Sequence, residues 1–227
     1  MLSWLRTGII IVVTIILTRL IPFSPFFQNV NTLIHELSHA IIALLLKGSV
    51  MQIHLFADQS GVTYTTFAEG WMMIPIGLAG YIGSALFAVM LFALFAKNKI
   101  RAGLAIVAVC AGVALILFVR NDYGAAWCAG FTIITILVCW VAPGWLQKSY
   151  YLLIAFICLV ESIISSLIIL LLSLTDPSAA GDAASLSSAT FLPAAVWAVL
   201  FVAVSLWCAR VSIAQLFRRP VRQEQEY

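Results

Sequence analysis

Long apolar runs alternate with short polar interruptions along the chain, and none of the runs has the period-two alternation of a barrel strand. They fall at Leu2 to Ile21, Val30 to Leu46, Trp71 to Ala96, Ala102 to Val119, Ala125 to Ala142, Tyr150 to Leu174 and Phe191 to Cys208. In lipid each backbone polar group must pair within its own segment, so runs of this length read as membrane helices. The pattern predicts an all-α polytopic membrane protein with six or seven transmembrane helices. The first run decides the count. Arg6 and Arg19 shorten its apolar stretch below the roughly 20 residues of a span, unless both snorkel to the interface. Pro22-Phe23-Ser24-Pro25 follows in place of a small-residue cleavage site, so a retained anchor is expected rather than a removed leader.

One stretch breaks the helical pattern. Val50 to Phe67 runs through Gln52-Ile53-His54-Leu55, then Ala57-Asp58-Gln59-Ser60-Gly61, then Val62-Thr63-Tyr64-Thr65-Thr66-Phe67, which predicts two short strands around a glycine-containing turn. A short β-hairpin therefore follows the second helix. The Thr175 to Thr190 stretch, rich in Ala, Ser and Gly with Pro177, is expected to be an irregular loop. The organisation expected is a single membrane domain, 1–227. It divides into an N-terminal anchor at 1–21, a core at 29–142, C-terminal helices at 150–208 and a basic polar tail at 209–227.

Composition removes water as the main solvent: 63% of residues are hydrophobic and 9% charged, against about 25% charged in a soluble domain. The net charge of +3 is small and its basic residues sit between apolar runs, which excludes a nucleic-acid surface. With seven spans, one side receives Lys97, Lys99, Arg101, Lys148, Arg210, Arg218, Arg219 and Arg222, and the other Arg6, Lys47 and Arg120. The positive-inside rule then puts the C-terminus in the cytoplasm, with the hairpin and the Thr175 to Thr190 stretch on the opposite side. The five cysteines, Cys110, Cys128, Cys139, Cys158 and Cys208, lie in or beside apolar runs without CxxC spacing and are expected to be buried thiols.

The chemistry concentrates in the second run, at His35-Glu36-Leu37-Ser38-His39. Four residues apart on a helix, His35 and His39 project from one face and can share a metal ion, with Glu36 beside them. In a zincin helix two histidines and a third ligand leave an open position for water. Zinc lowers the pKa of that water to about 7, and the glutamate takes its proton and passes it to the leaving amine. Polar groups in an apolar span are expensive, on the order of 2–3 kcal/mol for a charge near the helix centre, so this cluster needs partners or a function. With three histidines in the chain, the third ligand is His54, a thiolate such as Cys128, or a carboxylate. The carboxylates in reach are Asp122 and Asp182, both beyond the C-terminal end of the motif helix. Glu161, inside the Tyr150 to Leu174 run, is expected to face the bundle interior.

These residues resemble the site-2 protease-like intramembrane zinc metalloproteases, and more closely a compact bacterial branch without the leucine-aspartate-glycine segment. The likeness extends from His35 to about Val204. It takes in His35 to Ala40 with Lys47-Gly48, Ser60-Gly61-Val62-Thr63, Ala79-Gly80-Tyr81-Ile82-Gly83 and Arg120-Asn121-Asp122-Tyr123-Gly124. Gly181-Asp182-Ala183-Ala184-Ser185-Leu186, with Thr190, Pro193 and Trp197, completes the set. The resemblance implies zinc as cofactor, His35 and His39 as ligands, Glu36 as general base, and Asp182 ahead of Asp122 as third ligand. In relatives the last block tends to read Ser-Asp-Ala, where this chain has Gly181-Asp182-Ala183. It further implies a bacterial inner-membrane enzyme that cleaves membrane-protein substrates, as in regulated intramembrane proteolysis. The hairpin offers a strand edge on which an unwound substrate can lie. The alternatives are a non-proteolytic metal-binding membrane protein and a small transporter.

Overall fold

The computed structural model describes residues 24–217 together with Ile9 and Val12. Apart from those two positions, the expected anchor at 1–21 and the end of the tail, 218–227, lie outside the described residues. The described elements run α1 (Ser24–Leu45), β1 (Ser49–Leu55), β2 (Gly61–Thr66), α2 (Met73–Ala96), α3 (Ile100–Leu117), α4 (Asp122–Val141), α5 (Gly144–Thr175), α6 (Gly181–Ala189) and α7 (Ala194–Leu216). Short 3-10 turns precede α2 and α6. Five of the described helices, α2, α3, α4, α5 and α7, are long and apolar enough to cross a membrane. The 22 residues of α1 extend about 33 Å at the helical rise. Ile116, Ile133, Leu137, Trp140 and Leu171 are exposed on the outer faces, where lipid replaces water as solvent. The protein is a polytopic all-α membrane protein carrying one small antiparallel hairpin.

α1 starts at Ser24, well before the apolar run that begins at Val30. Its first turns contain Gln28, Asn29 and Asn31, which interrupt the hydrophobic pattern yet are buried. Gln28 Nε2 donates to Ser24 Oγ at 2.8 Å, Asn29 Nδ2 donates to the Tyr123 hydroxyl at 2.8 Å, and the Trp127 indole donates to the Phe26 carbonyl at 2.8 Å. Polar side chains of a lipid-embedded bundle turn inward and pair across helices, so hydropathy alone begins this helix too late.

α2 packs along α1, and within its run of small residues Gly80 and Gly83 lie at that contact while Gly77 lies against Leu186 of α6. A Cβ at Gly83 would overlap the Ser38 side chain, which measures how close the two helices lie. The Thr175 to Thr190 stretch is not the irregular loop expected from its composition. After the 3-10 turn Pro177–Ala179, Gly181 takes φ +50° and α6 forms, with Asp182 in its first turn. Ala183 and Leu186 are buried in a small core with Ala180, Ala194, Ala198 and Phe201, so packing against α2 and α7 stabilises a nine-residue helix that propensity alone would not. Thr190 closes this corner: its hydroxyl donates to the Leu186 carbonyl at 2.7 Å and accepts from the Trp197 indole at 3.2 Å.

The hairpin forms as expected, with Leu55 paired to Gly61, Ile53 to Thr63 and Val50 to Thr65, and a bulge between Val50 and Gln52. The outer edge of β1 is occupied. Ile53 N–H donates to the Phe118 carbonyl at 2.8 Å, and Arg120 N–H donates to the Ile53 carbonyl at 3.2 Å. One step along, the Asn121 side chain imitates a strand, accepting from Leu55 N–H at 3.1 Å and donating to the Leu55 carbonyl at 2.6 Å. The Arg120 guanidinium meanwhile donates to the Leu117 and Val119 carbonyls, at 2.7 and 2.8 Å, around the end of α3. The hairpin is thereby bolted to the α3–α4 corner by its first strand, and among the described residues no backbone pairs with the outer edge of its second strand.

Asn121→Ala is expected to leave the buried Leu55 N–H and C=O without partners, at about 1–3 kcal/mol. The loss is measurable as a lower unfolding temperature in detergent and faster amide exchange across β1 than across α5.

Candidate metal centre

The helical repeat of α1 puts His35 and His39 on one face, and the fold carries Asp182 to them from the start of α6. His35 Nε2 lies 3.0 Å from His39 Nε2 and 3.1 Å from Asp182 Oδ2, and His39 Nε2 lies 3.2 Å from the same oxygen. These three residues form a group that could hold a metal ion. Four ligands placed tetrahedrally at zinc bond lengths stand about 3.3 Å apart, so the triangle has the size of one face of such a site.

The hydrogen bonding around the triangle fits a cation. His39 Nδ1–H donates to the Ile76 carbonyl at 2.6 Å, which in the neutral ring leaves the lone pair of Nε2 facing His35 and Asp182. Two imidazole nitrogens and a carboxylate oxygen converging on one point repel each other unless positive charge sits between them. α2 crosses directly beneath: a Cβ at Gly80 would fall on both imidazoles, so only glycine lets the backbone approach this closely. Tyr81 sets its ring edge-on to His35 with centroids 4.6 Å apart, and stacks its other side on Phe201 at 4.4 Å. Rotation of the His35 imidazole is thus restricted by packing.

Glu36 is buried and lines the same cleft of about 670 Å³ as His35, His39 and Asp182. Its Oε2 accepts from the Thr63 hydroxyl at 2.6 Å. β2 forms one wall of the cleft and the start of α6 another, with Met51, Phe67, Met73 and Ile76 as apolar lining.

The structure therefore gathers His35, Glu36, His39 and Asp182 in one place and leaves out the other donors considered. Asp122 is exposed in the first turn of α4 and stands outside the group. His54 packs on Tyr64 and Phe56 with ring centroids 5.5 and 6.2 Å away, and Cys128 is a buried free thiol in the main core. Cys139, Cys158 and Cys208 are buried free thiols too, and Cys110 is half-buried. Glu161 is half-buried in α5. Three contributors had no assigned role in the sequence: Thr63, Tyr81 and the Ile76 carbonyl. Tyr81 had a faint signal, a single aromatic within a run of small residues. Thr63 stood in the Ser60-Gly61-Val62-Thr63 block without a role, and the Ile76 carbonyl has no signal, because only the packing of strand and helix brings them to α1.

Gly80→Ala is expected to displace both imidazoles and weaken zinc binding on the order of 10–100-fold, the range in which disturbances of outer-shell support fall. Metal titration with a competing chelator reads this directly, with His54→Ala as the variant expected to bind as wild type does.

No curated protein and no solved structure matches the chain. The sequence model of the peptidase M50B-like family matches residues 8–212, almost the whole bundle together with the motif helix and α6, and the chain belongs to that family, the membrane metallopeptidases of the site-2 protease group.

Proposed function

We propose that this protein is an intramembrane zinc endopeptidase that hydrolyses peptide bonds of membrane-associated protein substrates. The observation that carries it is the meeting of His35 and His39 with Asp182, which lies 147 residues from His35 in the chain and 3.1 Å from it in space, next to a buried glutamate facing the same cleft. His35, His39 and Asp182 would hold the zinc ion, with Asp122 left to the surface. Zinc, when bound there, supplies Lewis acidity that polarises a scissile carbonyl and lets a water lose its proton near neutral pH. Glu36 accepts that proton and carries it to the departing amine, which requires its carboxylate to stay oriented towards the cleft. The apolar walls exclude bulk water from the charges, where each electrostatic contact is worth more than in solution.

The open strand holds the substrate. Ile53 spends its N–H and C=O on residues 118–120, so its pair with Thr63 is a non-hydrogen-bonded one, and the backbone groups of Gly61, Thr63 and Thr65 point away from β1. These positions line the cleft. A membrane segment unwound into an extended chain could pair with them while its side chains occupy the apolar lining. Lys97, Lys99, Arg101, Lys148 and Arg210 gather at the end of the bundle opposite the hairpin, which favours a cytoplasmic C-terminus in a bacterial inner membrane.

A metal-binding protein without peptidase activity would need the same triangle but no oriented base, and a transporter would spread polar groups along several helices rather than around one turn. Both differ from the proposal in what Glu36→Gln does. With a quenched fluorescent peptide containing one apolar span as substrate, that variant is expected to lose about 10²–10⁴-fold in turnover while keeping its zinc. Zinc per chain is expected to be near one in wild type and Asp122→Ala, and lost in His35→Ala and Asp182→Ala. A folded wild type without zinc after resupply would sink the reading.

Thr65→Pro removes one N–H from the open edge and keeps the Thr63 hydroxyl. It is expected to raise KM for the apolar-span peptide with little change in zinc content; an unchanged KM would remove the strand from substrate binding.

A further inference from the structure

Glu36 belongs to α1, yet the atoms that fix its carboxylate belong to the hairpin. Thr63 Oγ1 lies 2.6 Å from Glu36 Oε2 and 3.1 Å from the Glu36 carbonyl. A hydroxyl has one proton, and the nearer carboxylate oxygen is the stronger acceptor, so the bond to Oε2 is the one made. Two residues earlier, a Cβ at Gly61 would meet Glu36 Oε1 at 2.7 Å and Glu36 Cγ at 2.9 Å. Positions 61 and 63 share a face of β2 by the period of two, so this face offers a gap for one carboxylate oxygen and a donor for the other. The turn itself is tied to α1, because the Thr32 hydroxyl donates to the Gln59 carbonyl at 2.7 Å.

We propose that Thr63 is a positioning residue for the base: its hydroxyl holds the Glu36 carboxylate in one orientation over the cleft, in the space that Gly61 leaves. This rests on Glu36 being the proton acceptor of the proposed peptidase. A glutamate side chain has several rotatable bonds, and one that swings among rotamers spends only part of its time facing the reacting water. The same residue also links binding to chemistry. The backbone of Thr63 faces the cleft while its side chain grips Glu36, so an extended segment pairing with β2 docks on the residue that orients the base. The hairpin is then part of the catalytic apparatus rather than only a guide for substrate.

The test uses the full chain in liposomes with the quenched apolar-span peptide and compares Thr63→Val, which keeps the shape, with Thr63→Ser, which keeps the hydroxyl. Thr63→Val is expected to lower kcat about 10–100-fold with KM within about twofold and zinc content unchanged, and Thr63→Ser to stay within about threefold of wild type. Wild-type kcat in Thr63→Val, or equal losses in both variants, would overturn the proposal. A second measurement does not depend on turnover. In protein labelled with ¹³C-glutamate, the infrared carboxyl band lost in Glu36→Gln is that of Glu36; it is expected to shift in Thr63→Val and to hold its place in Thr63→Ser. An unmoved band in Thr63→Val overturns the positioning role whether or not the peptide is cleaved. A shifted band in a protein that cleaves nothing would support the positioning role and fail the peptidase reading instead.

Discussion

A charged side chain buried in a lipid-embedded bundle costs on the order of 2–3 kcal/mol unless it finds partners, and α1 carries Glu36 between two histidines within five residues. The surrounding structure satisfies that demand. His39 donates to the Ile76 carbonyl, His35 and His39 face Asp182, and Glu36 accepts from Thr63. Each partner comes from a different element: α2, α6 and β2. The need to partner one helical turn thus ties together parts of the chain that are far apart in sequence, and those parts enclose the cleft.

Close approach is the second requirement, and it is met with small residues. Without a hydrophobic drive between helices in lipid, α1 and α2 associate through packing, and Gly80 and Gly83 bring the α2 backbone against the imidazoles and Ser38. Leu186 lies against Gly77 on the same helix, so α2 also seats α6 and with it Asp182. One stripe of small residues therefore sets both the depth of the histidines and the reach of the carboxylate.

The hairpin shows how a few polar contacts give direction to a flexible element. β1 is fastened along its outer edge by the backbone at 118–120 and by the Asn121 amide, and the turn is fastened to Thr32. Among the described residues, the outer edge of β2, over the cleft, has no backbone partner. An unpaired strand edge is ordinarily a liability, and here it lies where an extended peptide would reach the Glu36 carboxylate.

The membrane class, the hairpin and the His35-Glu36-xx-His39 turn could be read from the sequence, because hydropathy, turn chemistry and helical spacing are local. The start of α1 could not: Gln28, Asn29 and Asn31 look like loop residues until their burial against the other helices is known. Helix α6 was hidden for a related reason, since its stability comes from the buried Ala183 and Leu186 rather than from propensity. The sequence by itself placed two histidines four residues apart and a glutamate on one turn of an apolar run, and narrowed the third donor to a short set. Only the tertiary structure brought Asp182 beside the two imidazoles, left Asp122 and His54 on other surfaces, and brought Thr63 to Glu36. Those outcomes depend on which faces of α2, α6 and β2 pack on α1, and packing across elements leaves no periodic trace in the chain.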